Sequence, residues 1–178
     1  MSFRITSTIP TGFNTHLTSL KLQRCSINNF YILLQHLPML KSFTFEETLE
    51  ENEILISSSD QHLSLIELNF IIHYLSFKGL KNILLYKLPK LEKFTISTDG
   101  LSCVEKNFIL LKHWYELLND HRSLNKFQCD ISVIFLVEYK YRMTIEEQEQ
   151  QLNILVNNKY SIKCEYYNDS VCRRLYTE

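Results

Sequence analysis

The spacing of apolar residues between Leu17 and Phe45, LTSLKLQRCSINNFYILLQHLPMLKSFTF, constrains this chain more than any other feature. Leu17, Leu20 and Leu22 are followed by Cys25, and the same spacing restarts at Leu40, Phe43 and Phe45, 23 residues on. Leu20-Lys21-Leu22 alternates apolar and polar, as a short strand with one buried face requires. Phe30, Leu33, Leu34 and Leu37 then fall at helical intervals and form one apolar stripe. Asn28 or Asn29 is placed to cap the first turn of that helix, and Pro38 to stop it. A single strand and helix cannot bury their apolar faces alone. Copies stacked side by side can.

The pattern recurs. Leu65, Leu68 and Phe70 follow after 25 residues, Leu91, Phe94 and Ile96 after 26, and Leu124, Phe127 and Cys129 after 33. Ile162 and Cys164 follow 35 residues behind Phe127. The first three intervals lie in the range of roughly 20–29 residues of a leucine-rich repeat. The two longer ones read as repeats with insertions or as a closing cap. A further column, three residues after each strand's last apolar residue, holds Cys25, Thr48, His73, Asp99, Ser132 and Tyr167. Side chains in that column are expected to satisfy backbone groups as the chain leaves the strand.

The expected fold class is therefore α/β: a leucine-rich-repeat solenoid of five to six repeats. Short parallel strands line the concave face, helices the convex face, and an irregular cap closes the C-terminal end. Regular repeats cover 17–130 and the irregular closing part 131–178. Residues 1–16 read as a partial N-terminal cap or a truncated segment.

Several segments refine this outline. Glu46, Glu47, Glu50, Glu51 and Glu53 form an acidic cluster, read as the solvated start of a helix. Ser76 opens a helix with Phe77, Leu80, Leu84 and Leu88 inward. Phe108, Leu111, Tyr115 and Leu118 hold helical spacing on another, with Trp114 at the stripe's edge and expected to pack against a neighbouring repeat. The run from Phe127 to Tyr141 is β-prone, and its segment Val133-Ile134-Phe135-Leu136-Val137 is apolar on both faces and expected to be covered on both sides. Thr144-Ile145-Glu146-Glu147 is a capping box for a helix running to Val156.

Among 178 residues, 45% are hydrophobic and 22% charged, which fits one folded domain, and a net charge of −1 gives no electrostatic footprint for nucleic acid. No run of 18 apolar residues marks a membrane span, and MSFRITSTIPTGF has no signal-peptide core. An intracellular location, cytoplasm or nucleus, is expected. Five scattered cysteines without a C-x-x-C read as buried thiols rather than a disulfide framework.

His113, Asp120, His121 and Cys129 are close in sequence and carry the one enzymatic alternative, a hydrolase or metal enzyme. His113 and His121 are eight apart, which supports no metal spacing, and no Gly-rich oxyanion loop accompanies them. Solvated helix-end residues are the expected state of the histidines. Neither a cofactor nor catalysis is expected.

The repeat geometry directs a different set outward: Ser19, Lys21 and Gln23; Ser42, Thr44 and Glu46; Glu67, Asn69 and Ile71. Lys93, Thr95 and Ser97, then Lys126, Gln128 and Asp130, then Ser161, Lys163 and Glu165 continue it. Four lysines and four acids balance, with no aromatic among them. The candidate partner-binding residues are Lys21, Thr44, Asn69, Lys93, Thr95, Lys126, Gln128 and Lys163, facing a protein rather than a phosphate backbone. The alternative is a structural repeat segment with no stable partner.

HLTSLKLQRCSINNFYILLQHLPMLKSF, LIELNF and LPKLEKFTIST, with leucine-proline-x-leucine at Leu37–Leu40 and again at Leu88–Leu91, resemble the leucine-rich-repeat region of F-box proteins. The resemblance covers roughly residues 15–130. It implies a substrate-recognition role in an SCF-type ubiquitin ligase. No F-box is recognisable in this chain, so the ligase adaptor is an expected partner only where an F-box lies upstream.

Overall fold

The computed structural model describes residues 16–48, 61–98, 106–134, 160–167 and 172–177. Among these, strands β1 (Ser19–Lys21), β2 (Ser42–Glu46), β3 (Glu67–Ile71), β4 (Lys93–Ser97), β5 (Lys126–Ile134), β6 (Ile162–Tyr167) and β7 (Cys172–Thr177) form one open sheet in the order β1-β2-β3-β4-β5-β7-β6. The first five strands run parallel to their neighbours. Their register follows the repeated pattern: Leu20, Phe43, Leu68, Phe94 and Phe127 are aligned across the sheet. Parallel neighbours require a crossover, and helical segments are described in the intervals β1–β2, β3–β4 and β4–β5.

The last two strands do not continue this arrangement. β7 pairs antiparallel with β5, and β6 pairs antiparallel with β7 at the edge. Ile162 and Cys164 therefore belong to a closing hairpin, not to a further parallel repeat. Tyr160, just ahead of β6, lies edge-on to Phe127 at 5.9 Å, and its hydroxyl donates to the Leu124 carbonyl at 2.8 Å. That covers the last parallel unit.

Three helices lie among the described residues: α1 (Ile27–His36), α2 (Phe77–Asn82) and α3 (Leu111–Asp120). α1 buries Phe30, Leu33 and Leu34 as its stripe predicts, and Leu37 at its C-terminal end. Its cap is Ser26, whose Oγ accepts from the Asn29 amide at 3.2 Å. Asn28 and Asn29 are inside the helix, so neither caps it. Ser76 caps α2 through Gly79 in the same way. The chain then widens into a π-helical turn, Ile83–Lys87, which buries Ile83 with Leu84. A 3-10 turn, Lys106–Ile109, precedes α3.

α3 buries Leu111, Trp114, Leu117 and Leu118. Phe108, Leu111 and Leu118 are buried as expected, but Tyr115 is 43% exposed and Trp114, expected at the stripe's edge, is fully buried in its place. Trp114 meets Phe77 edge-on at 5.2 Å and Phe127 at 5.1 Å. A second aromatic group joins Phe30, Phe43, Phe45 and Phe70 across three units, with Phe45 and Phe70 stacked at 4.5 Å. Each such buried ring contributes about 1.5–3 kcal/mol of burial. Leu20, on the first strand, is only half-buried.

Two buried histidines tie units together. His62 and His121 stand three residues before Leu65 and Leu124, the place that Leu37 and Leu88 hold in the alternate units. The Leu65 amide donates to His62 Nδ1 at 3.1 Å, so the ring proton is on Nε2, which donates to the Leu37 carbonyl at 2.9 Å. His62's own amide donates to Lys87 in the following unit. His121 Nε2 likewise donates to the Leu88 carbonyl at 2.9 Å, and Ser123 Oγ to Pro89 at 2.8 Å. His121 is thus buried and bonded, not the solvated helix end expected of it.

Glu47 overturns a second expectation. It is 5% exposed, and its Oε2 accepts from the amides of His73, Tyr74 and Leu75 at 2.8–3.0 Å. Two units on, Thr98 Oγ1 accepts from the Ser132 amide at 3.0 Å, while the equivalent position after β3 is the buried Ile72. After β2 and β4 the side chain that satisfies a neighbouring exit therefore stands two residues after the last apolar strand residue, whereas after β1 the expected column holds, with Cys25 Sγ donating to the Ser26 carbonyl at 3.3 Å. Thr48, His73 and Ser132 supply backbone groups there instead. Residues 1–15, the rest of the acidic cluster, Asp99, the run 135–141, and the expected helix 144–156 lie outside the described residues.

Candidate functional site

The alternation of each strand places polar residues on the face opposite the core. Strand register then assembles them into rows. Ser19, Ser42, Glu67, Lys93 and Lys126 make the first row; Lys21, Thr44, Asn69, Thr95 and Gln128 make the second. Glu46, Ile71, Ser97, Asp130, Tyr176 and Lys163 make the third. The seven candidates from Lys21 to Gln128 fall in the first two rows, and Lys163 in the third. All eight share one face.

Adjacent members of the second row are already ordered: Asn69 Nδ2 donates to Thr44 Oγ1 at 3.1 Å. Lys93 and Lys126 are exposed and aligned on neighbouring strands. Ser161 stands ahead of β6 in the left-handed backbone region, with φ 50.

The closing hairpin adds two residues that local sequence reading left out. Tyr176, aligned with Asp130, brings an aromatic ring to the open face, and Arg174 is aligned with Ser132. Arg174 grips Asp130 through two bonds of 2.7 Å and covers the Tyr176 ring at 5.2 Å. Nothing local identifies them, because only the antiparallel pairing of β7 turns them outward. Glu46 is also engaged, 3.3 Å from His73 Nε2. The expected balance of charges on this face is therefore not a spatial balance: two of its acids have cationic or imidazole neighbours, while Lys21, Lys93 and Lys126 make no ion pair among the described residues.

The enzymatic alternative does not converge. His113 lies against the Phe77 ring at 5.4 Å, and His121 faces the Leu88 carbonyl. Eight residues of helix separate them by about 12 Å. Asp120 is exposed and 3.9 Å from Lys81. Among the described residues no three of His, Cys, Asp and Glu are grouped to hold a metal ion. Cys129 is buried beneath the sheet, and its burial, with the neighbouring Asp130 charge second, pushes the thiol well above the usual range. A folded group raised in this way favours the protonated form, so its share of stability holds at neutral pH and fades as pH climbs past the ordinary thiol value. Native protein at pH 8 treated with iodoacetamide should leave Cys129 unlabelled, whereas denatured protein should label fully, as peptide mass mapping reads out.

A hollow of about 610 Å³ opens on the helix side, lined by Tyr31, Leu34, Pro38, His62, Leu63 and Lys87, among others. Burial raises the Tyr31 hydroxyl above its usual range. Both nitrogens of His62 are already hydrogen-bonded, which leaves that ring no role in the hollow. No helix among the described residues is long and apolar enough to cross a membrane. No protein-family model, curated protein or solved structure matches the chain.

Proposed function

We propose that this chain is a leucine-rich-repeat interaction module and that its open sheet face binds a protein partner. The in-register alignment of Lys21, Thr44, Asn69, Thr95 and Gln128 across five parallel strands carries the reading. Repeats that align equivalent outward positions offer one extended surface rather than isolated contacts. Tyr176 and Arg174, residue types favoured where binding energy concentrates, border it. The sequence resemblance to the repeat region of F-box proteins supports a substrate-receptor role, with a ligase adaptor as second partner where an F-box lies upstream.

The test is partner capture by wild type, Gln128→Trp and Lys112→Glu. Gln128 is exposed in the middle of the face, so an indole there obstructs a partner; Lys112 is exposed on α3. Gln128→Trp should weaken retention about tenfold or more, and Lys112→Glu should leave it unchanged. Equal retention by all three baits rejects the open face. A wild-type bait that retains no partner supports the structural repeat segment instead.

A further inference from the structure

We propose that the open face takes an acidic, extended peptide segment, with a carboxylate held between Lys93 and Lys126. This rests on the interaction-module reading and names the chemistry of the occupant. The two lysines are register partners on β4 and β5, both exposed, on strands about 4.8 Å apart. Like charges placed directly opposite one another disfavour the bare sheet. An anion seated between them removes that repulsion and gains two charge-assisted hydrogen bonds.

The neighbours leave this role open. Asp130, four residues along β5 from Lys126, is held by Arg174 at 2.7 Å, and Glu46 lies beside His73. Glu67 is aligned with Lys93 in the same row, yet no ion pair within 4.0 Å joins them. One residue pair further along the strands, Thr95 and Gln128 are aligned and offer donors and acceptors to a peptide backbone. Thr44 and Asn69 continue that row.

The charge pattern selects the class of partner. A nucleic acid needs a stripe of cations that follows successive phosphates. Here the pair is local, flanked by Glu67 and Asp130, on a chain of net charge −1. One carboxylate with flanking polar backbone fits it; a polyphosphate strand does not.

The experiment is fluorescence anisotropy on the full chain at 150 mM salt with three labelled probes. These are a decapeptide of alternating Glu and Ser, its Lys-for-Glu counterpart, and a single-stranded decanucleotide. Wild type should bind the acidic peptide. Lys93→Gln/Lys126→Gln should weaken it at least about tenfold, and Lys93→Glu/Lys126→Glu should reverse the preference toward the basic peptide. Lys112→Glu should match wild type. The inference is overturned if wild type ignores the acidic peptide, if the double glutamine variant binds it equally, or if the oligonucleotide binds tighter than the peptide. Should the acidic peptide fail while Gln128→Trp still removes captured partners, only this inference falls. If Gln128→Trp leaves captured partners in place, the interaction-face reading falls with it.

Discussion

Trp114→Ala should cost about 3–5 kcal/mol in urea denaturation, the loss typical of removing a fully buried large aromatic side chain. The indole is 0% exposed and joins three units: Phe77 on α2, Phe108 ahead of α3, and Phe127 on β5. Truncation leaves a void among rings that α3 cannot close without shifting off the sheet. It also strands the Phe108 carbonyl, which accepts from the indole N–H at 2.6 Å. Trp114→Phe restores much of the volume but not that donor, so it should recover part of the loss. Tyr115→Ala, one residue along and 43% exposed, should stay within about 0.5 kcal/mol. Equal losses at positions 114 and 115 would place Tyr115 in the core beside Trp114.

That comparison shows where local pattern stops being enough. The five parallel strands were legible because each repeats one apolar spacing, and a period of two admits only one inward face. On α3 the choice between Trp114 and Tyr115 was not, because both are large aromatics at neighbouring positions and either completes the stripe of Phe108, Leu111 and Leu118. Arg174 and Tyr176 were illegible for another reason. Their place on the open face depends on β7 returning antiparallel beside β5, a pairing between residues 38 to 46 apart in the chain. The buried histidines were half-written in the sequence. His62-Leu63-Ser64-Leu65 and His121-Arg122-Ser123-Leu124 share one spacing and alternate with Leu37-Pro38-Met39-Leu40 and Leu88-Pro89-Lys90-Leu91. Polar residues recurring where leucines stand in alternate units signal buried hydrogen bonding, since an unsatisfied polar group there is costly. Reading His121 with Asp120 and His113, its sequence neighbours, concealed that match. The candidate binding rows were legible in membership, while their charge balance was not, because the contacts of Asp130 with Arg174 and of Glu46 with His73 are tertiary.

Glu47→Ala should cost about 3 kcal/mol or more, comparable with the loss of a core side chain, although it deletes no apolar group. Composition places Glu47 in an acidic run that reads as solvated, yet one carboxylate oxygen gathers three successive amides where the chain leaves β3. Those amides belong to His73, Tyr74 and Leu75, immediately before Ser76 caps α2, so the contact sets the path from strand to helix. A carboxylate accepts such bonds more strongly than a neutral group, and each buried amide left without a partner adds a desolvation penalty. The bridge between Cys25 and Glu47 adds a second reason for sensitivity: the first unit's exit hydrogen-bonds this same segment, with the Thr48 amide donating to the Cys25 carbonyl at 3.1 Å. Glu47→Gln keeps one neutral acceptor oxygen and should recover about half of the alanine loss. Glu46→Ala, next to it but half-exposed on the open face, should cost under about 1 kcal/mol. Denaturant melts of the three variants, with hydrogen exchange at the amides of residues 73–75, read this out directly. Faster exchange confined to those amides in Glu47→Ala identifies the carboxylate as what holds the turn. Unchanged exchange and an unchanged midpoint would mean that the turn holds its shape without it.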